Sequence, residues 1–166
     1  MKILVSACLL GEDVRFDGAN SSFAMNPKFK FAQKELFMDI LCDNEIYSFC
    51  PEVAGGLGIP RAKSEIVSHE KPFKVVNEEE VDVTINFLLG AKKALDTCLE
   101  NDVKVALLKS KSPSCGNIEV YDGTFSNNLI KSQGLTARLL EDNNIKVFNE
   151  HQLNDLEKYI KQNKSL

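Results

Sequence analysis

Short, mostly apolar runs recur along the chain, and longer stretches with helical spacing lie between them. Ile3 to Ala7, Ile46 to Phe49, Val103 to Leu108 and Ile145 to Phe148 are each four to six residues long, and three of them are rich in Val and Ile. Apolar runs of this length predict strands buried on both faces, as in a parallel sheet. Val83 to Leu99 places Ile85, Leu88, Leu89 and Leu95 along one face and its margin, which predicts a helix with Asp82 or Thr84 as its cap. Phe31 to Leu41, Thr136 to Asn143 and Glu150 to Gln162 predict three more helices, the last from the spacing of Leu153, Leu156 and Ile160. Strands alternating with helices at this pitch form βαβ units with right-handed crossovers. The expected fold class is therefore α/β, a three-layer sandwich around a mainly parallel, Rossmann-like sheet of four to five strands.

Two stretches resist this scheme. Gly11 to Lys28 and Gly55 to Glu80 lack a clear period, and the second carries Gly55, Gly56, Gly58, Pro60 and Pro72. Long irregular connections in a compact domain are usually functional loops, so both are expected to wall a site. Phe73 to Val76 predicts a short strand, Glu119 to Phe125 a small hairpin turning at Asp122-Gly123, and Glu78-Glu79-Glu80 a solvated turn before a helix.

At 166 residues the chain fits one α/β domain over 1–166, long enough to bury a proper core. The net charge is −4 and the basic residues are scattered, which argues against long nucleic acid as a partner and leaves a small substrate open. The apolar run after Met1 and Lys2 is too short for a signal peptide, and no run approaches the ~20 residues that span a bilayer. A cytoplasmic protein without membrane contact is expected, and nothing in the pattern sets its association state. Five cysteines is an odd count, and in a reducing compartment thiols are more often packed, catalytic or metal-binding than paired.

The position of each cysteine then matters. In an open parallel sheet, ligands bind outside the carboxyl ends of the strands. Cys8 follows the first predicted strand, Cys50 the second, and Cys115 lies in the loop after the third, so all three are expected at one edge. Cys42 at a helix end and Cys98 within a helix are assigned to packing. Three thiolates suit zinc with an open position or a four-iron cluster with one iron lacking a protein ligand, and spacing does not separate the two. The absence of a CxxC pair disfavours a zinc ribbon. His69 and His151 are the only histidines, which rules out a His-rich site and leaves both to surface or loop roles.

Three runs carry a resemblance over nearly the whole chain. Ser6-Ala7-Cys8-Leu9-Leu10-Gly11 with Arg15, Asp17 and Gly18, then Cys50-Pro51-Glu52-Val53-Ala54-Gly55-Gly56-Leu57 with Pro60-Arg61, then Ser112-Pro113-Ser114-Cys115-Gly116 with Tyr121-Asp122-Gly123-Thr124-Phe125 resemble the thiouracil desulfidase family. The resemblance implies one 4Fe-4S cluster held by Cys8, Cys50 and Cys115, with one open iron that takes the sulfur of a thiolated base. It places the family's catalytic acid on Glu52 and its serine on Ser112. The implied reaction is a non-redox, hydrolytic desulfuration with Glu52 as general base and Ser112 orienting it or relaying a proton. Arg15, Asp17, Arg61 and Ser114 are candidate substrate or supporting residues, with Arg15 or Arg61 expected to pair with Asp17. The C-terminal domain that some members carry for thiolated transfer RNA is not expected here, so a small thiolated pyrimidine, as base, nucleoside or nucleotide, is the expected substrate. The alternative is a non-catalytic iron-sulfur or zinc protein that handles sulfur or metal. A metal-free cysteine nucleophile is the weakest reading, because it needs an activating base and histidine is scarce.

Overall fold

The computed structural model describes residues 1–164. In chain order the elements are β1 (Lys2–Ser6), α1 (Phe31–Cys42), β2 (Glu45–Phe49), α2 (Pro51–Ala54), β3 (Ser64–Ser68), β4 (Lys74–Asn77), α3 (Thr84–Glu100), β5 (Val105–Leu108), β6 (Glu119–Tyr121), β7 (Leu129–Lys131), α4 (Leu135–Asp142), β8 (Lys146–Asn149) and α5 (Leu153–Lys164), with a 3-10 turn over Ala7–Leu10.

The four apolar runs become parallel strands in the order β2-β1-β5-β8. Successive side chains on a strand point to opposite faces, and both faces here are apolar. Ile3, Val5, Val105 and Leu107 pack with Phe37 and Ile40 of α1 and Leu153, Leu156 and Ile160 of α5. Leu4, Ala106, Leu108 and Val147 pack with Ala94 and Cys98 of α3 and Ala137 and Leu140 of α4. Two cores on the two faces of one sheet make the three-layer α/β sandwich that the apolar pattern predicts. Burying each of the larger side chains stabilises the fold by roughly 1.5–3 kcal/mol before chain entropy is subtracted.

Two elements depart from expectation within the irregular segments. Residues 51–54 form α2, with Pro51 at its start where a missing N–H costs nothing. Ser64–Ser68 forms β3, which pairs antiparallel with β4 and so depends on a partner that its own sequence does not reveal. The hairpin near residue 120 is also wider than expected: β6 and β7 are joined by residues 122–128 instead of turning tightly at Asp122-Gly123. The start of α5 moves from Glu150 to Leu153, because Asn149 captures the next turn. Its Oδ1 accepts from the His151 amide at 2.8 Å, and its carbonyl accepts from the Gln152 amide at 2.9 Å.

Both hairpins lie outside the main sheet. They share a third apolar cluster in which Ile66, Val75 and Val120 meet Val83, Phe87 and Leu135. This cluster docks the hairpins beside the amino ends of α3 and α4, next to the carboxyl edge of the sheet.

Candidate active site

The carboxyl ends of β1, β2 and β5 open on a cavity of about 320 Å³, and Cys8, Cys50 and Cys115 all line it. Each is a free thiol. Cys8 sits in the 3-10 turn after β1, which Gly11 closes in the left-handed region at φ 97°. The Cys8 carbonyl accepts from the Ser21 amide at 2.9 Å, and the Leu9 carbonyl from the Phe23 amide at 3.0 Å, so the 11–28 loop folds back over the turn. Cys50 is the residue between β2 and α2, with its thiol toward the Val14 carbonyl at 3.9 Å. Cys115 lies in a turn docked on the first turn of α4, where the Thr136 and Ala137 amides donate to the Ser114 carbonyl at 2.9 and 3.2 Å. A Cβ at Gly134 would stand 2.5 Å from the Ser114 carbonyl carbon, so only glycine allows that docking.

Glu52 projects from α2 into the same cavity. Its Oε2 accepts from Arg61 Nε at 2.8 Å and its Oε1 from Ser114 Oγ at 3.0 Å, with both members of the ion pair largely buried. Arg61 also donates to the Val14 carbonyl at 3.0 Å and the Gly58 carbonyl at 3.2 Å, which holds the guanidinium in one orientation. The α2 turn itself is fixed by close backbone contact with α3. A Cβ at Gly90 would be 2.0 Å from the Pro51 carbonyl oxygen, and one at Gly55 2.0 Å from that of Asn86.

The thiols are in a medium that opposes ionisation. Burial pushes Cys115 up to about 12, against the partial relief of hydroxyl bonds from Ser6 and Ser114, each 3.6 Å from its Sγ. Burial also pushes Cys8 up to about 11, with Lys109 acting in the opposite direction, and raises Cys50. Against this, the cavity wall carries five basic side chains, Arg15, Arg61, Lys63, Lys109 and Lys111, and one acid, Glu52. Each of these cations has an acid partner, Asp17, Glu52, Glu65, Glu150 and Glu119 in that order, so the wall presents oriented N–H donors and not an unbalanced positive charge. The donor set suits an iron-sulfur cluster: three soft sulfur ligands on separate walls, two serine hydroxyls aimed at one of them, and surrounding cations to compensate thiolate charge. Among the described residues, no three Cys, His, Asp or Glu side chains are gathered to hold a single metal ion.

The structure places the remaining candidates as follows. Arg15 and Asp17 pair at 3.5 Å as expected, but half-exposed, and Asp17 does not line the cavity. Arg61 pairs with Glu52 and not with Asp17, because the 55–63 segment brings it under α2. Ser112 lines the cavity without touching Glu52. Its Oγ accepts from the Ser114 and Cys115 amides, both at 3.2 Å, and meets Ser114 Oγ at 2.8 Å, so the contact with the acid is made by Ser114. Cys98 is buried in the core, and Cys42 ends α1 exposed to solvent. His69 meets Ser132 Oγ at 3.2 Å and His151 is largely exposed; neither lines the cysteine cavity.

Lys109 and Glu150 escape a reading based on cysteine. Lys109 directly follows β5 and Glu150 directly follows β8, so the rule that finds Cys8 and Cys50 at strand ends applies to them as well. Glu150 is 3 % exposed and takes Lys109 Nζ at 2.6 Å, the Ser110 amide at 2.8 Å and Ser110 Oγ at 2.8 Å. Burial alone would raise its carboxyl, and the Lys109 ammonium with the Ser110 bonds outweighs burial and holds it below the ordinary 4.5. A carboxyl depressed in the folded state contributes stability above its unfolded pKa and loses it as pH falls through the folded value. The urea midpoint of the wild type is therefore expected to fall more steeply below about pH 4.5 than that of Glu150→Gln. Parallel profiles would remove Glu150 from the acid response.

A second cavity of about 620 Å³ adjoins the first and shares Arg15, Ser21, Lys109, Ser110 and Lys111 with it, adding Lys28, His151 and the acid Glu150 to the lining.

The 2-thiouracil desulfurase family matches residues 3–152, which include all three cysteines, Glu52 and Ser112. The chain belongs to that family. Among solved structures it is similar to the 4Fe-4S-dependent thiouracil desulfidase TudS, at 38% identity and a TM-score of 0.83 over 97% of this chain and 98% of that one. It is also 33% identical over 160 residues to the uncharacterized protein YbbK of Bacillus subtilis (strain 168), covering 93% of this chain and 99% of the relative. Members of the desulfurase family are named as enzymes acting on a carbon–sulfur bond, and this one carries the α/β sandwich of its structural neighbour. Among the described residues no helix is long and apolar enough to cross a membrane.

Proposed function

We propose that this desulfurase removes the sulfur of a thiolated pyrimidine by net hydrolysis, with Cys8, Cys50 and Cys115 holding a 4Fe-4S cluster that keeps one iron open. The observation that carries the reading is the meeting of three free thiols and a fixed glutamate in one cation-walled cavity. When bound, the cluster supplies a soft Lewis acid for the thiocarbonyl sulfur. In the balanced reaction the ring carbon gains oxygen from water and loses sulfur as hydrogen sulfide.

Glu52 is the general base. Arg61 and the Ser114 hydroxyl each take one of its oxygens, which holds the carboxylate in place while a lone pair stays available for a proton from water. Ser112 acts at one remove, by locking Ser114 and the Cys115 amide in the turn. The basic wall binds the anionic part of the substrate. The adjoining cavity, where Lys28 joins the ion-paired Arg15, Lys109 and Lys111, gives a nucleotide's phosphate room and hydrogen-bond donors, so a thiolated nucleotide fits this chain better than a free base.

Anaerobically reconstituted protein, offered 2-thiouracil, 4-thiouridine and 4-thiouridine 5′-monophosphate, is expected to release one sulfide per desulfurated product. Full iron loading with no sulfide from any of the three would overturn the reading.

A further inference from the structure

We propose that Tyr121 selects the substrate ring in this cavity, and that Glu65, which lies outside the cavity, is the positioning residue that sets Tyr121. The inference rests on the desulfurase reading above and adds a specificity wall to it. The β3–β4 and β6–β7 hairpins form sheets of their own, and the only tie of β6 toward the main sheet among the described residues is one isolated parallel bridge from Val120 to Lys111, so no ladder of the main sheet fixes the wall they present. Tyr121 ends β6 and lines the cysteine cavity, as does Lys63, just before β3.

One carboxylate holds both. Glu65 is 1 % exposed. Its Oε2 accepts from the Gly123 and Phe125 amides, both at 3.0 Å, and these belong to the loop that directly follows Tyr121. Its Oε1 is buried without a hydrogen bond and faces Lys63 Nζ at 3.4 Å. That ammonium in turn lies 4.5 Å from the centre of the Tyr121 ring. The loop is pressed against β3 closely enough that a Cβ at Gly123, whose φ is +91°, would stand 2.6 Å from the Ile66 carbonyl oxygen. A carboxylate this buried is retained only with compensating partners, and its partners here are the two supports of one aromatic ring.

The arrangement leaves Tyr121 one unused group. The Lys63 ammonium is committed to Glu65, the ring face and Asn127 Oδ1 at 3.5 Å. The Tyr121 hydroxyl makes no hydrogen bond with any described residue and is not among the sealed polar atoms. A ring clamped on one face, with a free phenol, in the wall of the cavity that the thiols line is suited to hydrogen-bond the oxygen that a thiopyrimidine carries besides its sulfur. A site group that pairs with a substrate oxygen discriminates against the analogue lacking it.

The test compares 2-thiouracil with 2-mercaptopyrimidine, which lacks that oxygen, on wild type, Tyr121→Phe and Glu65→Gln. Tyr121→Phe is expected to raise KM for 2-thiouracil up to about tenfold, the scale of one lost hydrogen bond, with kcat within about twofold and no change for 2-mercaptopyrimidine. Glu65→Gln is expected to raise the same KM and also to speed amide exchange across residues 122–128 at unchanged iron content. Unchanged KM in Tyr121→Phe overturns the selection, and unchanged exchange in Glu65→Gln overturns the positioning. Tyr121→Phe keeps every contact that holds the hairpin, so it judges the proposal even where Glu65→Gln does not fold. If loaded wild type desulfurates nothing, the desulfurase reading falls on its own, and equilibrium dialysis of 2-thiouracil against wild type and Tyr121→Phe still decides: weaker binding in the variant supports the selection, and equal or absent binding overturns it.

Discussion

Replacing any one of Cys8, Cys50 or Cys115 with alanine is expected to remove the visible absorption of protein purified without oxygen and to bring sulfide release to background. The expectation follows from the donor count. The cavity offers three sulfur ligands and no histidine, so each thiol is a third of the protein's hold on a cluster. Burial opposes ionisation of the thiols, pushing Cys8 up to about 11 and Cys115 up to about 12 and raising Cys50, so cluster assembly must work against proton binding at all three. Wild type should carry about four irons and four sulfides per chain, as a four-iron cluster requires. Cys42→Ala and Cys98→Ala serve as controls: Cys42 is exposed at a helix end and Cys98 packs in the core, and both variants should load iron as wild type does. Retention of a full cluster in any one of the three cavity variants would remove that residue from the ligand set. Zinc alone in the wild type would remove the cluster.

Glu52→Gln is expected to retain its iron and lose roughly 10²- to 10⁴-fold in kcat, the range for a general base. The amide keeps the size of the side chain and can still accept from Ser114, so the cavity shape is preserved while the basic lone pair is lost. Arg61 loses its counter-charge, which leaves a largely buried guanidinium with only the Gly58 and Val14 carbonyls. Some loss of stability is therefore expected beside the loss of turnover, and iron content separates the two effects. Ser114→Ala should reduce kcat less, because Arg61 still orients the base; Ser112→Ala should act through the turn that carries Cys115. A Glu52→Gln enzyme with wild-type kcat would assign the base elsewhere.

The layout of the sheet was legible because it is a local pattern. Ile3 to Ala7 and Val103 to Leu108 are apolar at successive positions, and only a strand covered on both faces buries them all. Once the strands are placed, parallel topology sends Cys8, Cys50 and Cys115 to one edge with no information about contacts. The same logic reaches Lys109 and Glu150, which a search for sulfur ligands passes over although both follow strands directly. By contrast β3 was hidden. Glu65 breaks its apolar character, and the reason a charge is tolerated there is a loop some sixty residues away that supplies two amides. The same bonds explain the wide 122–128 connection, which dipeptide turn preferences describe as a tight hairpin at Asp122-Gly123.

By itself the sequence determined the alternation of strands and helices, the strand-end placement of the three thiols, and family membership through long motifs around them. Those properties are carried by periods and spacings along one chain. Tertiary structure decided which groups meet: that Arg61 holds Glu52 and not Asp17, that Ser114 and not Ser112 touches the acid, and that Lys109 stands between two cavities with Glu150 behind it. A side chain of fixed reach can serve several partners, and the choice among them is set by backbone approaches such as those at Gly90 and Gly134, where two elements touch with no room for a Cβ.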